Sequence, residues 1–335
     1  MKAPVFRGVG KPLSIETIPD PTPGPGELVL RIGRCGICGS DLHWTSGNGT
    51  TYPDGSVIGH EFAGEVVAVG RGVEHRFEGD RVTALAIHSC GQCAKCLSGN
   101  PMWCERRQPT AAGGGGQYAI VKGHTSIRLP NCLSLADGAL VEPLAGALHA
   151  VKLSGLSAGA RVLVLGGGPV GIATCFWAHR LGATRVIISS RSSRNERQAL
   201  AVGANRLMTI DTLSDQLDAA LGGPPDIVFE CVGAPGVLAR AIDLVRPQGV
   251  VMVAGVCLLP DTFHPYQIFS KEIRIQGSLG FNLQEFQTAI DVLDRGAVEP
   301  RTMITKTVSL AELPDAFEAL RNPTNQCKVM IDPWA

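Results

Sequence analysis

The stretch VLVLGGGPVGIATCFWAHRLGATRVIISS, residues 162–190, constrains this chain more than any other. Four apolar residues of a buried strand run into a glycine turn, a helix-compatible segment follows, and a second apolar run ends in serines. Gly166, Gly168 and Gly171, with Pro169 and Val170 between the last two, spell G-x-G-x-x-G at the strand-to-helix junction. Glycines in that arrangement allow a tight turn, a close approach of backbone to a pyrophosphate, and close packing of helix on strand. The N-terminus of the helix then offers unpaired N–H groups to the phosphates. The alternation continues through DIVFECVG, the helix-like VLARAIDLVRP and GVVMVAG. Strand and helix taking turns in this way predict a parallel, doubly wound sheet that binds a dinucleotide.

The second strand of that unit ends at Ser189 and Ser190, the latter 19 residues beyond Gly171. An Asp or Glu at such a position accepts hydrogen bonds from the ribose hydroxyls of NAD and repels a 2′-phosphate. This chain instead has Ser189, Ser190, Arg191 and Arg194, with no acidic residue from 186 to 195. A guanidinium presents a planar fork of donors that matches phosphate oxygens. The pattern therefore predicts NADP(H) in preference to NAD(H), against the plainer reading of a solvated basic loop.

Upstream, the first 145 or so residues differ in texture. Short runs such as ELVLRIGRCGIC and EFAGEVVAVG are separated by Gly and Pro turns, which predicts a β-rich, barrel-like domain. A length of 335 residues accommodates two domains. Lys plus Arg (30) balances Asp plus Glu (30), so no broad field favours nucleic acid or an acidic membrane surface. No apolar run reaches the ~18 residues of a membrane span, and the N-terminus has no apolar signal core. A cytoplasmic location is the expectation.

Four of the 11 cysteines, Cys90, Cys93, Cys96 and Cys104, follow C-x2-C-x2-C-x7-C within a polar, Gly-rich segment. Four thiolates close a tetrahedral zinc site with no position left for substrate, so such a site is structural. An iron–sulfur cluster also uses closely spaced cysteines, but the x7 gap and the lack of a Pro after the last Cys fit it less well. Cys35, Cys132, Cys175, Cys231, Cys257 and Cys327 sit among apolar neighbours and read as small buried hydrophobes. The Gly113–Gly116 run reads as a flexible turn of unassigned role. Cys38 in CGICGSDLH, His60 and Glu61 in VIGHEFAGE, and Glu142 in LVEPLAG are the right residue types for a second, open zinc site. Each element alone is a weak signal, since a single Cys or His is more often a core residue than a ligand.

Taken in order, GICGSDLH, GHEFAGEVVAVG, GDRV, the four-cysteine lobe, VEPLA and LGGGPVG give the chain its resemblance to a known family. It resembles the zinc-containing medium-chain dehydrogenases/reductases, the alcohol, polyol and threonine dehydrogenases, over essentially its whole length. The resemblance implies a GroES-like catalytic domain (residues 1–143 with 276–335) and a Rossmann domain (144–275). It implies a catalytic zinc at Cys38, His60 and Glu142, with Glu61 a ligand that exchanges with Glu142 or with water. With the cysteine lobe, that makes two Zn2+ per chain. The Glu in VEPLA is similar to the polyol and threonine branch. Ser40 and His43 would relay the alcohol proton to solvent, and Cys231, Val232, Gly255 and Ser278 would line the cofactor cleft. A homotetramer or dimer built on the Rossmann domain is implied too, with an alcohol/ketone pair as the small-molecule substrate.

The chain departs from the family in two places. Relatives often carry an aromatic residue before the Tyr of GGGGQYAI, facing the substrate; here that wall is missing or is supplied elsewhere, by Trp44 for example. The usual acidic residue after the second Rossmann strand is replaced by Ser190-Arg191. The reading that follows is a zinc-dependent, NADP(H)-preferring oxidoreductase interconverting a secondary alcohol or polyol and its ketone. Its rivals are a zinc-free quinone or enoyl reductase, a dehydrogenase for a charged substrate such as an amino alcohol or hydroxy acid, and a non-catalytic module of the same fold.

Overall fold

The computed structural model describes residues 1–108, 113–322 and 324–335. They fall into two compact units, Met1–Glu142 with Phe281–Ala335, and Pro143–Gly280.

The first unit is β-rich. Strands β1 (Lys2–Val5) and β2 (Ser14–Thr17) pair antiparallel as a small two-stranded sheet. The long strand β3 (Glu27–Gly36) alternates in the way its sequence demands: Leu28, Leu30 and Ile32 are fully buried and Arg31 faces out. A short helix α1 (Gly39–Trp44) follows, then β4 (Glu61–Val69) and β5 (Arg81–Ala84). Helix α2 (Ala94–Leu97) lies inside the cysteine lobe, and β6 (Tyr118–Lys122) and β7 (Ser126–Arg128) complete this part. Helix α3 (Leu135–Ser154) crosses the division between the units.

The second unit alternates strictly. Its order is β8 (Arg161–Leu165), α4 (Pro169–Arg180), β9 (Arg185–Ser190), α5 (Glu196–Ala201), β10 (Arg206–Thr209) and α6 (Ile210–Leu221). Then come β11 (Ile227–Glu230), α7 (Val237–Leu244), β12 (Val250–Val253), α8 (Pro265–Lys271) and β13 (Arg274–Gly277). All six strands are parallel, in the order β10-β9-β8-β11-β12-β13. That is the doubly wound Rossmann order, with its switch point between β8 and β11. Strands buried on both faces explain why VLVL, VII and IVF read as unbroken apolar runs.

The chain returns to the first unit with α9 (Leu283–Asp294), β14 (Ile304–Ser309), α10 (Leu313–Ala319) and β15 (Lys328–Asp332). The large sheet runs β14-β15-β3-β4-β5-β7, with β6 also pairing β3. Its core contains Ile32, Phe62, Val82, Phe317 and Ile331.

Two expectations are corrected. Cys132 is exposed, not buried; it lies on the loop between β7 and α3, where its thiol donates to Asp294 Oδ1 at 2.9 Å. Cys231 and Cys257 are half-buried, whereas Cys35, Cys175 and Cys327 are buried. The Gly113–Gly116 run is also not simply a loose turn. Gly114 and Gly115 are buried, and their N–H groups donate to the carbonyls of Gly59 and Ile58 at 3.0 and 2.9 Å. A Cβ on Gly114 would stand 2.2 Å from the Phe62 ring, so the run is glycine because it packs flat beneath the segment that carries His60. Among the described residues, no helix is long and apolar enough to cross a membrane.

Candidate functional site

In the first unit, Cys38 is the N-cap of α1 and Asp41 its third residue, with the Cys38 N–H donating to Asp41 Oδ2 at 3.1 Å. His60 and Glu61 arrive at the start of β4. Two register shifts in the β3–β4 ladder leave Glu61 opposite Gly36, and a Cβ on Gly36 would lie 2.1 Å from Glu61 Oε2. That glycine makes room for the carboxylate. The ligand atoms of Cys38, His60 and Glu61 all lie within 4.8 Å of one another. Glu142, half-buried on α3, stands outside that group.

The surroundings set the chemistry of these donors. Asp41 is fully buried; its Oδ1 accepts from Tyr52 OH at 2.8 Å and lies 3.2 Å from His60 Nδ1. A carboxylate at Nδ1 orients the ring and leaves Nε2 as the nitrogen free to ligate. Burial disfavours the imidazolium of His60, but Asp41 and the Cys38 thiol together raise its pKa well above the usual histidine value. Glu61 is gripped by Lys328 of β15, whose Nζ lies 2.7 Å from Oε1 and 2.5 Å from Oε2 and also donates to Ile37 O at 3.1 Å. Burial, reinforced by the charge of Glu61, pushes Glu142 up to about 7. Ser40 Oγ donates to Cys38 Sγ at 3.2 Å and sits 3.4 Å from His60 Nε2. His43 lies three residues further along the same helix, and Trp44 stands 6.1 Å from the His60 ring. One thiol, one imidazole and one carboxylate within reach of each other are the donor chemistry of an open zinc site.

The cysteine lobe also gathers as the spacing predicts: Cys90, Cys93, Cys96 and Cys104 form one cluster, with Sγ separations of 3.9 Å (Cys90–Cys96) and 3.6 Å (Cys93–Cys96). Ligands at ~2.3 Å around a tetrahedral zinc lie roughly 3.7–3.8 Å apart, so these two pairs stand close to the spacing zinc requires. N–H groups of Gln92 and Cys93 donate to Cys90 Sγ and hold that thiol down to about 6.

In the second unit, every residue that the sequence assigns to a cofactor falls at the C-terminal edge of the parallel sheet or just beyond it. Gly166 (φ +118°) follows β8, and Gly168 caps α4 with Pro169 and Val170 as its first residues. A Cβ on Gly171 would stand 1.8 Å from Gly166 O, so the turn accepts only glycine there. Gly168 has open space around it. Ser189 and Ser190 end β9; Ser189 Oγ is buried with no partner among the described residues. Arg191 and Arg194 are exposed. Cys231 and Val232, Gly255 and Ser278 follow β11, β12 and β13. A cradle that a Cβ would fill, free N–H groups at a helix start and an orphaned buried hydroxyl suit a bound dinucleotide.

Against known proteins, residues 24–131 match the alcohol dehydrogenase GroES-like domain and 169–295 the zinc-binding dehydrogenase domain. A sorbitol dehydrogenase of Halalkalibacterium halodurans is 31% identical, over 96% of this chain and 95% of its own. The chain belongs to the zinc-containing medium-chain dehydrogenase/reductase family. Its sequence places it on the polyol-dehydrogenase branch, and its general activity is that of an oxidoreductase of the alcohol dehydrogenase type. The (R,R)-butanediol dehydrogenase of Bacillus subtilis is 32% identical, over 96% of this chain and 97% of that one. A protein of Sinorhizobium meliloti 1021, described as a zinc-binding dehydrogenase and solved with NADP bound, is 33% identical with a TM-score of 0.88, covering 99% of both chains.

Sequence reasoning missed Asp41, Tyr52 and Lys328. Asp41 had a local signal, an acidic residue three places after a helix N-cap. Lys328 had none, since its partner is 267 residues away.

Proposed function

We propose that this medium-chain dehydrogenase is zinc-dependent, prefers NADP(H), and interconverts a secondary alcohol or polyol with its ketone. The observation that carries the reading is the meeting of Cys38, His60 and Glu61 donors within 4.8 Å, with the Ser40 hydroxyl 3.2 Å from Cys38 Sγ. Residues Cys38, His60, Glu61 and Glu142 would hold one zinc and the four-cysteine lobe a second. The unit of Met1–Glu142 with Phe281–Ala335 is then the catalytic domain, and Pro143–Gly280 the cofactor domain.

When bound, zinc supplies a Lewis acid for the substrate oxygen and the nicotinamide a hydride acceptor. The chain's own groups manage the proton. Ser40 Oγ takes it from the substrate hydroxyl and passes it along α1 to His43, three residues on and on the same helical face. Burial and the charge of Arg321 lower the His43 pKa, so its ring is a neutral acceptor at neutral pH. Asp41 keeps His60 in the orientation and tautomer that ligate.

The exposed Arg191, beside Ser190 at the end of a strand with no carboxylate, supports NADP(H). A polyol or secondary diol is favoured by the relatives named for sorbitol and (R,R)-butanediol. The exposed edge strand β13 and the nearby Tyr266 and Phe269, 64% and 78% exposed, support a homotetramer or dimer. The test is an assay of NADP+ and NAD+ reduction with secondary alcohols, diols, polyols and 3-hydroxy amino acids. A higher kcat/KM with NADP+ on a diol or polyol is the expected result. A preference for NAD+, turnover confined to charged substrates, or undiminished turnover after removal of zinc would overturn the corresponding part.

A further inference from the structure

Helix α1 carries Ser40 and His43 on only six residues, too few to be stable on propensity alone. Its C-terminal end is fastened by a residue from the far end of the chain. Arg321, two residues beyond α10, donates from Nη1 to Leu42 O at 2.8 Å and from Nη2 to Thr45 Oγ1 at 2.8 Å. The Leu42 carbonyl belongs to the last turn of α1, where no N–H of the helix remains to pair it. Thr45 is the C-cap and donates in turn to Asp41 O at 2.8 Å. The guanidinium is itself held in place. Its Nε and Nη2 donate to the two Glu318 oxygens at 2.7 and 3.1 Å, and its central carbon lies 5.3 Å over the buried Phe317 ring.

We propose that Arg321 is a positioning residue of the proton relay: it closes the last turn of α1 and fixes a positive charge beside His43. The proposal rests on the relay reading above. A cation at a helix C-terminus is also favoured by the helix dipole. Burial first, then the field of Arg321, hold the His43 pKa below its usual value. Of the other charged groups nearby, Glu318 on α10 is engaged by Arg321 itself. Asp41, on α1, is buried and bonded to Tyr52, His60 and the Cys38 N–H. Removing the Arg321 charge therefore stabilises the imidazolium, and His43 stays protonated to a higher pH. Since the relay needs the neutral ring during alcohol oxidation, the acid limb of kcat moves upward.

The experiment uses full-length, zinc-loaded Arg321→Met, Arg321→Lys and Glu318→Gln proteins. His43 is titrated by NMR, with its resonance identified by its loss in His43→Asn, and kcat and KM for alcohol oxidation are followed against pH. Arg321→Met should raise the His43 pKa by about half a unit or more and shift the acid limb of kcat with it, while KM changes less than twofold. Arg321→Lys, which keeps the charge, should stay near wild type. Glu318→Gln, at a half-exposed position, should lower the His43 pKa and covers the case in which the methionine variant does not fold. A His43 that titrates alike in all of them overturns the proposal. Identical kcat profiles in His43→Asn and wild type would instead overturn the relay reading, and the NMR titration would still report on Arg321.

Discussion

Glu61 and Lys328 form an ion pair of 2.5 Å in which both side chains are 1% exposed. Such a pair is costly to break, because removing one partner leaves an uncompensated charge out of water. Lys328→Met should lose about 3–5 kcal/mol of stability, and Lys328→Met/Glu61→Gln should regain most of it. Denaturant unfolding of the two variants beside wild type checks this; a single mutant as stable as wild type would mean that water reaches the pair.

The cysteine lobe has little apolar material of its own, with Leu97 and Trp103 75% and 57% exposed. On the proposed reading, metal ligation would be what holds it folded. Cys96→Ser should reduce bound zinc by one per chain and lower the unfolding temperature. Metal analysis by mass spectrometry together with a thermal melt reads both, and an unchanged zinc content would remove the metal from the lobe.

Arg191 lies at the end of β9 next to Ser190, where a 2′-phosphate would sit. Arg191→Ala should weaken NADP+ binding by about 1.5–3 kcal/mol, the worth of charge-assisted hydrogen bonds, and leave NAD+ within twofold. Calorimetric titration with each nucleotide decides it; equal losses for both would show that the arginine acts on something other than the phosphate.

Glu142 ties stability to pH in the metal-free protein. Its carboxyl is raised to about 7 by burial and by Glu61, whereas an unfolded glutamate ionises near ~4.3. Between those values the folded state binds more protons than the unfolded one, so this contribution is present in full below ~4.3 and declines as pH rises through 7. Urea unfolding of zinc-stripped protein from pH 5 to 8 should show that decline, flattened in Glu142→Gln. The same slope in both proteins would place the titration on another group.

Where the necessary residues are neighbours in the chain, the site could be read directly. The β8–turn–α4–β9 unit lies within 30 residues, and its glycines are required by contacts inside the turn, such as Gly171 against Gly166 O. Four cysteines within fifteen residues are similar. Cys38, His60 and Glu61 were legible as ligand types, but their meeting depends on a β3–β4 register with two shifts. The glycine run 113–116 looked like a loose turn because nothing local reveals that Phe62 and Ile58 press against it. Cys132 looked buried from its neighbours, although the loop it occupies is at the surface.

The amino-acid order by itself determined the family, the doubly wound sheet, the two sets of metal-ligand types and the positive strand end after Ser190. Those are properties of short segments, expressed through periodicity and spacing. Only the tertiary structure decided which charges surround them: Lys328 on Glu61, Asp41 on His60, Arg321 at the end of α1. A charge selects its partner through space, and β15, which delivers Lys328, reaches the site by pairing antiparallel with β3 nearly 300 residues upstream.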